Sequence, residues 1–352
     1  MTSLDDPGLL TLDREDMFGR IRELGTELVR AWHESEEMEL PADAQGANAV
    51  VVAGMGGSAT AGDYFAVLCA PSSEIPVAVV RGFELPNWVN DRTLVVVSSY
   101  SGNTQEALSC YDDGWKRGAM LLAITTGGQL AARASGDGVP VQQISYVSRP
   151  RAALAHGFAP LLRLGHRLGH SALGGPAVEA AGQRHRDLVE RELAPEVPVA
   201  GNGAKRLAQA LQGRLALVLG GAHLAPAAGR FRNQLAENGK ALGLAESLPE
   251  AGHNLVVGLS TANRLSGALA LVTLESATAE ARLAKGFVET RRLFEAAGVP
   301  THRIVVGGET PLEQLLEATA WGDYVSCYLA LLHGEDPSPT PQIDALRAAL
   351  GS

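Results

Sequence analysis

The sequence predicts an α/β protein made of two doubly wound domains, each a parallel sheet flanked by helices. Short apolar, β-branched runs alternate with helical stretches along most of the chain. Two of these runs pass directly into a glycine-rich turn, GMGGSA at 54–59 and GGAHLA at 220–225, as if one architecture were used twice. The length of 352 residues is enough for two α/β domains of ordinary size, each with its own core.

Residues 13–38 place Met17, Ile21, Leu24, Leu28 and Trp32 on one face of an amphipathic helix, expected to pack across a domain or a partner. Strand-like runs follow at Ala49–Ala53, Val77–Val80, Leu94–Val97, Leu121–Ile124 and Val139–Ile144. The run Leu94–Val97 is apolar throughout, as a strand covered on both faces should be. Residues 152–200 have a helical pattern broken around Gly174–Pro176. A second alternating block begins at Leu215–Val218, continues at Ala268–Leu274 and Ile304–Val306, and ends in helices near 311–333. The Pro-rich DPSPTP at 336–341 is a linker to a short final helix. The expected division is a helical segment 1–45, a first domain 46–165, a helical connection 166–200, a second domain 201–335 and a C-terminal linker and helix 336–352.

A net charge of −10 argues against nucleic acid or an anionic membrane as the main partner. An anionic ligand would have to be held locally, by loops and helix N-termini. Cys69, Cys110 and Cys327 are few, odd in number and scattered in apolar segments, which fits buried free thiols and neither a disulfide frame nor a zinc site. The opening MTSLDDPG has no signal-peptide character, and no apolar run reaches the length of a membrane span. A soluble, cytoplasmic protein is expected.

The most informative segment is VVVSSYSGNTQEAL at 95–108, an apolar strand running into a hydroxyl- and glycine-rich turn and then a helix. Hydroxyls and free N–H groups at a helix N-terminus bind an anion without lysine, and such a loop suits a phosphate monoester. The first glycine turn could be taken for a dinucleotide motif, but its ribose-binding acid should end the second strand. That strand ends at Arg81, so only an NADP-type reading survives. The better account has Gly56, Gly57 and Ser58 lining a sugar-phosphate pocket at the carboxyl edge of the sheet, beside the 98–104 loop, with no cofactor. His166 and His170 have a metal-compatible spacing but no third ligand nearby, and fit a solvated helix face better. In the second block, NQLAENGK at 233–240 and LPEAGHN at 248–254 offer a carboxylate, Glu237, and an imidazole, His253. A base and an acid of that kind can divide proton-transfer work. Equally, Glu237 could be a solvated helix residue and His253 a loop histidine bonded to backbone.

GMGGSATAGD, SYSGNTQEAL, PRAAL at 150–154, NQLAENGK, LPEAGHN and GDYVSCYLALLHGEDPSPTP at 322–341 occur in this order. Together they resemble the bifunctional phosphoglucose/phosphomannose isomerase family, built from two sugar isomerase (SIS) domains, from about residue 15 to the end. The resemblance implies that Ser99, Ser101 and Thr104, with Gly57 and Ser58, hold the 6-phosphate. It implies that Glu237 is the base that moves a proton between C1 and C2 through a cis-enediol. His253 would assist ring opening from across a dimer interface, and Arg151 would steady the enediolate. The family's usual lysine in the final helix is missing: the only lysines are Lys116, Lys205, Lys240 and Lys285, and Arg347 stands at the matching position. Leu255 replaces an acid often found after the HN pair, and Thr340 matches a hydroxyl that makes room for the mannose epimer. The expected function is a metal-independent aldose–ketose isomerase acting on fructose, glucose or mannose 6-phosphate as a homodimer. The alternatives are a catalytically weak sugar-phosphate-binding protein and an isomerase of another phosphosugar.

Overall fold

In the computed structural model, which describes residues 3–264 and 267–350, the chain forms two compact units. One comprises Leu24–Gly182 with Pro341–Ser352, the other Met1–Glu23 with Gln183–Thr340.

The first of these contains strands β1 (Ala49–Ala53), β2 (Val77–Val80), β3 (Thr93–Ser99), β4 (Met120–Thr125) and β5 (Val141–Gln143). All pairings are parallel and the order is β2-β1-β3-β4-β5. Val51 on β1 lies between Ala78 on β2 and Val95 on β3. Strand periodicity sends alternate side chains to opposite faces. Val51, Ala53, Val95 and Val97 meet Leu108 and Tyr111 of the helix Gln105–Lys116 and Leu130 of the helix Gly128–Asp137. Val52 faces the other way, against Gly62 of the helix Gly56–Cys69. Covered on both sides, β1 and β3 are buried at every position. The run expected at Leu94–Val97 is longer by Thr93, Ser98 and Ser99, whereas that expected at Val139–Ile144 shortens to β5.

The second unit holds β6 (Leu215–Gly221), β7 (Gly243–Leu248), β8 (Leu269–Ser276) and β9 (Thr301–Val306), all parallel, in the order β7-β6-β8-β9. This is the winding of the first sheet without its fifth strand, so the two glycine turns follow equivalent strands. β7 was not expected from the sequence. Its GLAESL has no continuous apolar run because it is an edge strand with alternately exposed side chains. The helix Pro311–His333 is buried along most of its length.

The expected N-terminal helix is two helices, Met17–Arg22 and Leu24–Glu34, separated at Glu23. Met17, Ile21, Leu24, Leu28 and Trp32 are all buried. Within its own unit Met17–Arg22 packs on Pro311–His333; within the other, Leu24–Glu34 packs on the helix Leu154–Arg167. The apolar stripe keeps its spacing through the break, which is why the sequence shows one helix. Cys69, Cys110 and Cys327 are free and buried. Among the described residues no helix is long and apolar enough to cross a membrane.

Candidate active site

In a doubly wound sheet, ligands bind above the carboxyl ends of the strands where the winding changes direction. In the first sheet that point lies between β1 and β3. β1 passes through Gly54 and Met55 into the helix Gly56–Cys69, and β3 passes through Tyr100–Thr104 into the helix Gln105–Lys116. A Cβ on Gly54 would come within 2.7 Å of the Ser98 carbonyl oxygen, so the two turns approach closely. Gly102 has φ 67°, and a Cβ there would lie 1.8 Å from the Gly127 carbonyl oxygen, so only glycine fits. The turn rests on the one that follows β4: Thr126 N donates to Tyr100 O (3.0 Å) and Leu130 N to Gly102 O (2.9 Å).

Neither Met55 nor Thr104 caps its helix with a side-chain hydrogen bond. The first N–H groups of both helices, at Gly56, Gly57 and Gln105–Ala107, therefore lack intrahelical partners. Ser99 is only 2% exposed. Its hydroxyl donates to Thr104 Oγ1 (2.9 Å) and accepts from Gly102 N (3.1 Å). Ser99 thus braces the turn, and Thr104, as the acceptor, keeps its own proton for a ligand. Ser101 is exposed and Ser58 half-buried. Two uncapped helix ends and several hydroxyls are the groups an anion cradle needs, and no lysine is among them.

Arg151 lies in the helical turn Pro150–Ala152 and is 4% exposed. A Cβ on Gly57 would sit 3.2 Å from the Pro150 carbonyl oxygen, so this turn lies against the first glycine turn. The Tyr100 hydroxyl donates to Tyr146 O and accepts from Ser148 N, both at 2.7 Å. The Tyr100–Thr104 turn is thereby tied to the segment leading into Arg151. Tyr146 stacks on His156, with centroids 4.5 Å apart, and His156 Nε2 lies 2.8 Å from Glu27 Oε2. Burial lowers the His156 imidazole below its usual range, against the pull of Glu27. Arg81, where a ribose-binding acid would stand, is paired with Asp63. His166 packs near Trp32.

Glu237 is the last residue of the helix Ala225–Glu237, in the second unit. Buried bonds hold that helix: Arg230 Nη2 donates to both Asp323 oxygens (2.9 and 3.0 Å) and Gln234 Nε2 to Asp323 Oδ1 (2.6 Å). His253 follows the helical turn Glu250–Gly252 just beyond β7, and is exposed. A crossover helix runs antiparallel to its strands, so Glu237 stands before the start of β7 and His253 past its end. A strand of 6 residues spans about 20 Å. The structure therefore does not bring Glu237 and His253 of one chain together. Leu242 (81%) and Val257 (71%), on the same stretch, are largely exposed. Thr340 is half-buried, and Arg347 is exposed on the helix Pro341–Leu350.

The equivalent switch point of the second sheet, between β6 and β8, is built differently. Glu280 caps the helix Ala281–Ala296, accepting from Arg282 N (3.1 Å) and Leu283 N (3.3 Å). Pro226 removes a donor from the first turn of Ala225–Glu237. A Cβ on Gly221 would touch Leu283 (3.0 Å) and Phe287 (3.2 Å), so side chains occupy that space. Sequence reasoning gave no separate part to Tyr100 and Lys240, although both stand inside the motifs it picked out. Their hydrogen-bond partners are mostly backbone atoms, which residue types do not reveal.

A family model for the bacterial phospho-glucose isomerase C-terminal SIS domain matches residues 200–350. A bifunctional phosphoglucose/phosphomannose isomerase of Caldicellulosiruptor bescii is 35% identical over 335 residues, covering 95% of this chain and 98% of that protein. One from Aquifex aeolicus is 28% identical over 86% of this chain and 90% of its own length. Among solved structures, a glucose-6-phosphate isomerase like protein from Thermus thermophilus aligns over 97% of this chain and 99% of its own, with a TM-score of 0.64 and 21% identity. The tagatose-6-phosphate ketose/aldose isomerase of Escherichia coli aligns over 91% and 93%, with a TM-score of 0.66 and 14% identity. These structural likenesses bear on the fold, two SIS-type α/β domains; the sequence match over nearly the full length of both proteins bears on descent. The chain belongs to the bifunctional phosphoglucose/phosphomannose isomerase family.

Proposed function

We propose that the chain is a metal-independent aldose–ketose isomerase that interconverts fructose 6-phosphate with glucose 6-phosphate, mannose 6-phosphate or both. The observation that carries this is the uncapped, lysine-free anion cradle at the first switch point, in a chain of this family. The 6-phosphate is held by the N–H groups and hydroxyls around Gly56, Gly57, Ser58, Ser99, Ser101 and Thr104. Ser99 serves there chiefly by fixing Thr104. That remote binding energy positions the first two carbons of the sugar for reaction. Glu237 takes a carbon-bound proton from one carbon and returns it to the other through a cis-enediol. Arg151, buried and permanently charged, faces the oxygen charge that develops in that intermediate. His253 assists ring opening. Arg347 supplies a cation near the sugar, and Thr340 leaves room for the mannose epimer.

The working form is a homodimer with shared sites. The separation of Glu237 from His253 by the length of β7 supports it, because a site that uses both must draw them from two copies. Exposed Leu242 and Val257 on that stretch fit a surface covered by a second copy.

Glu237→Gln tests the assignment of the base. Turnover of fructose 6-phosphate should fall by roughly 10²–10⁴-fold, the range for a positioned base. Calorimetry should still detect sugar-phosphate binding. Near-normal turnover in this variant would remove Glu237 from the mechanism. Binding without turnover of either sugar by the unaltered protein would favour the sugar-phosphate-binding alternative.

A further inference from the structure

We infer that Lys240 is a positioning residue for this reaction, its ammonium fixing the end of the Glu237 helix against the Pro-rich segment that carries Thr340. The inference rests on the isomerase reading and on Glu237 as its base. Lys240 Nζ donates to the backbone carbonyls of Glu237 (2.6 Å), Pro337 (3.1 Å) and Pro339 (2.7 Å). An ammonium has three splayed donors, and here three carbonyls from two distant stretches of chain converge on it. No carboxylate takes part in these three bonds. They join backbone to backbone through one side chain.

The local backbone is shaped around that side chain. Lys240 has φ 52°, in the left-handed region where glycine is the relaxed choice. A glycine does stand one position earlier, in space so tight that a Cβ would lie 2.8 Å from Leu235 O and 3.2 Å from Ser326 O. The chain thus turns sharply after Glu237 while keeping a long cationic side chain at a strained position. The preceding residues are fixed as well: Asn238 Nδ2 donates to Ser326 Oγ (3.1 Å), and His333 Nδ1 lies 3.0 Å from Gly239 O. Asn238 and Gly239 hold the turn to the helix Pro311–His333, and Lys240 holds it to the Pro337–Thr340 segment. The spacing between the Glu237 carboxylate and the Thr340 hydroxyl therefore depends on this ammonium. A base serving two adjacent carbons tolerates little displacement.

Lys240→Met, Lys240→Arg and Glu237→Gln are assayed together, with glucose and mannose 6-phosphate each followed, beside melting curves. Lys240→Met should lower kcat roughly 10- to 100-fold with KM changed by less than about threefold, because the phosphate-holding turns lie elsewhere in the chain. It should also alter the ratio of mannose to glucose 6-phosphate turnover. Lys240→Arg, which still offers donors to convergent carbonyls, should recover part of the lost kcat. Unchanged kcat in folded Lys240→Met overturns the inference. So does a loss that merely follows the melting temperature and is not rescued by arginine. If Lys240→Met does not fold, Lys240→Gln, which keeps two donors, is read by the same criteria. Full turnover in Glu237→Gln overturns the assignment of the base instead, whatever the lysine variants do.

Discussion

The switch points of the two sheets share a strand order and differ in what covers their helix ends. At the first, Met55 and Thr104 leave the helix N–H groups uncapped, and glycine and hydroxyl side chains surround them. At the second, the Glu280 carboxylate accepts from two of those N–H groups, Pro226 takes one donor away, and Leu283 and Phe287 fill the space beside Gly221. The winding supplies a crevice twice. Cap chemistry leaves the helix ends of one open, as the proposed phosphate site requires, and turns the other into ordinary packing.

The sharpest way to break that contrast is to give the first crevice the cap of the second. Thr104→Glu should raise the KM for fructose 6-phosphate by roughly a hundredfold, about 3 kcal/mol, since a carboxylate would compete with the phosphate for the same N–H groups. An affinity within a fewfold of normal would mean that the cap is not what separates the two sites.

A second contrast concerns buried histidines. His156 has Glu27 beside its ring, whereas neither nitrogen of His185, in the other unit, has a hydrogen-bond partner among the described residues. Burial pushes His185 down from 6.5 to about 4. Its folded value lies below its unfolded value, so the unfolded chain takes up the proton first as pH falls. The associated stability is complete above pH 6.5 and drains away towards pH 4, by about 3 kcal/mol in all. Urea unfolding of the normal protein and of His185→Leu at pH 7.5 and 4.5 checks this. The variant should lose less stability across that interval, and an identical loss would absolve His185.

The smallest effect is expected from the reverse exchange. Glu280→Ala should cost about 1 kcal/mol of stability as a lost helix cap. It should gain no affinity for inorganic phosphate by calorimetry, because Leu283 and Phe287 still fill the neighbouring space. New phosphate binding would show that the carboxylate alone kept the second crevice closed.

Much of this could be read from the chain. Strands covered on both faces are continuous apolar runs, so β1 and β2 were found to the residue. The glycine and serine turns declared themselves because few other residues suit a tight turn at an open helix end. β7 escaped because Glu246 and Ser247 interrupt it, and an edge strand needs no unbroken apolar run. With β7 unseen, the separation of Glu237 from His253 was hidden too. The break at Glu23 was invisible because burial at Met17, Ile21, Leu24 and Leu28 preserves helical spacing across it. The bonds of Lys240 were out of reach for another reason. Two of its acceptors are carbonyls of prolines almost a hundred residues away, and a carbonyl carries no mark of residue type.

The break at Glu23 also bears on how the protein is made. Residues up to Glu23 belong with Gln183–Thr340, although most of the other unit, Leu24–Gly182, intervenes in sequence. As the chain leaves the ribosome, Met17, Phe18 and Ile21 emerge almost three hundred residues before the helix Pro311–His333 that covers them. Strands β1–β5 can assemble long before then, since their sheet is complete by Gln143. The same apolar face would be left bare in a fragment ending near residue 182. In this protein the helix Met17–Arg22 must wait for a helix made much later, Pro311–His333.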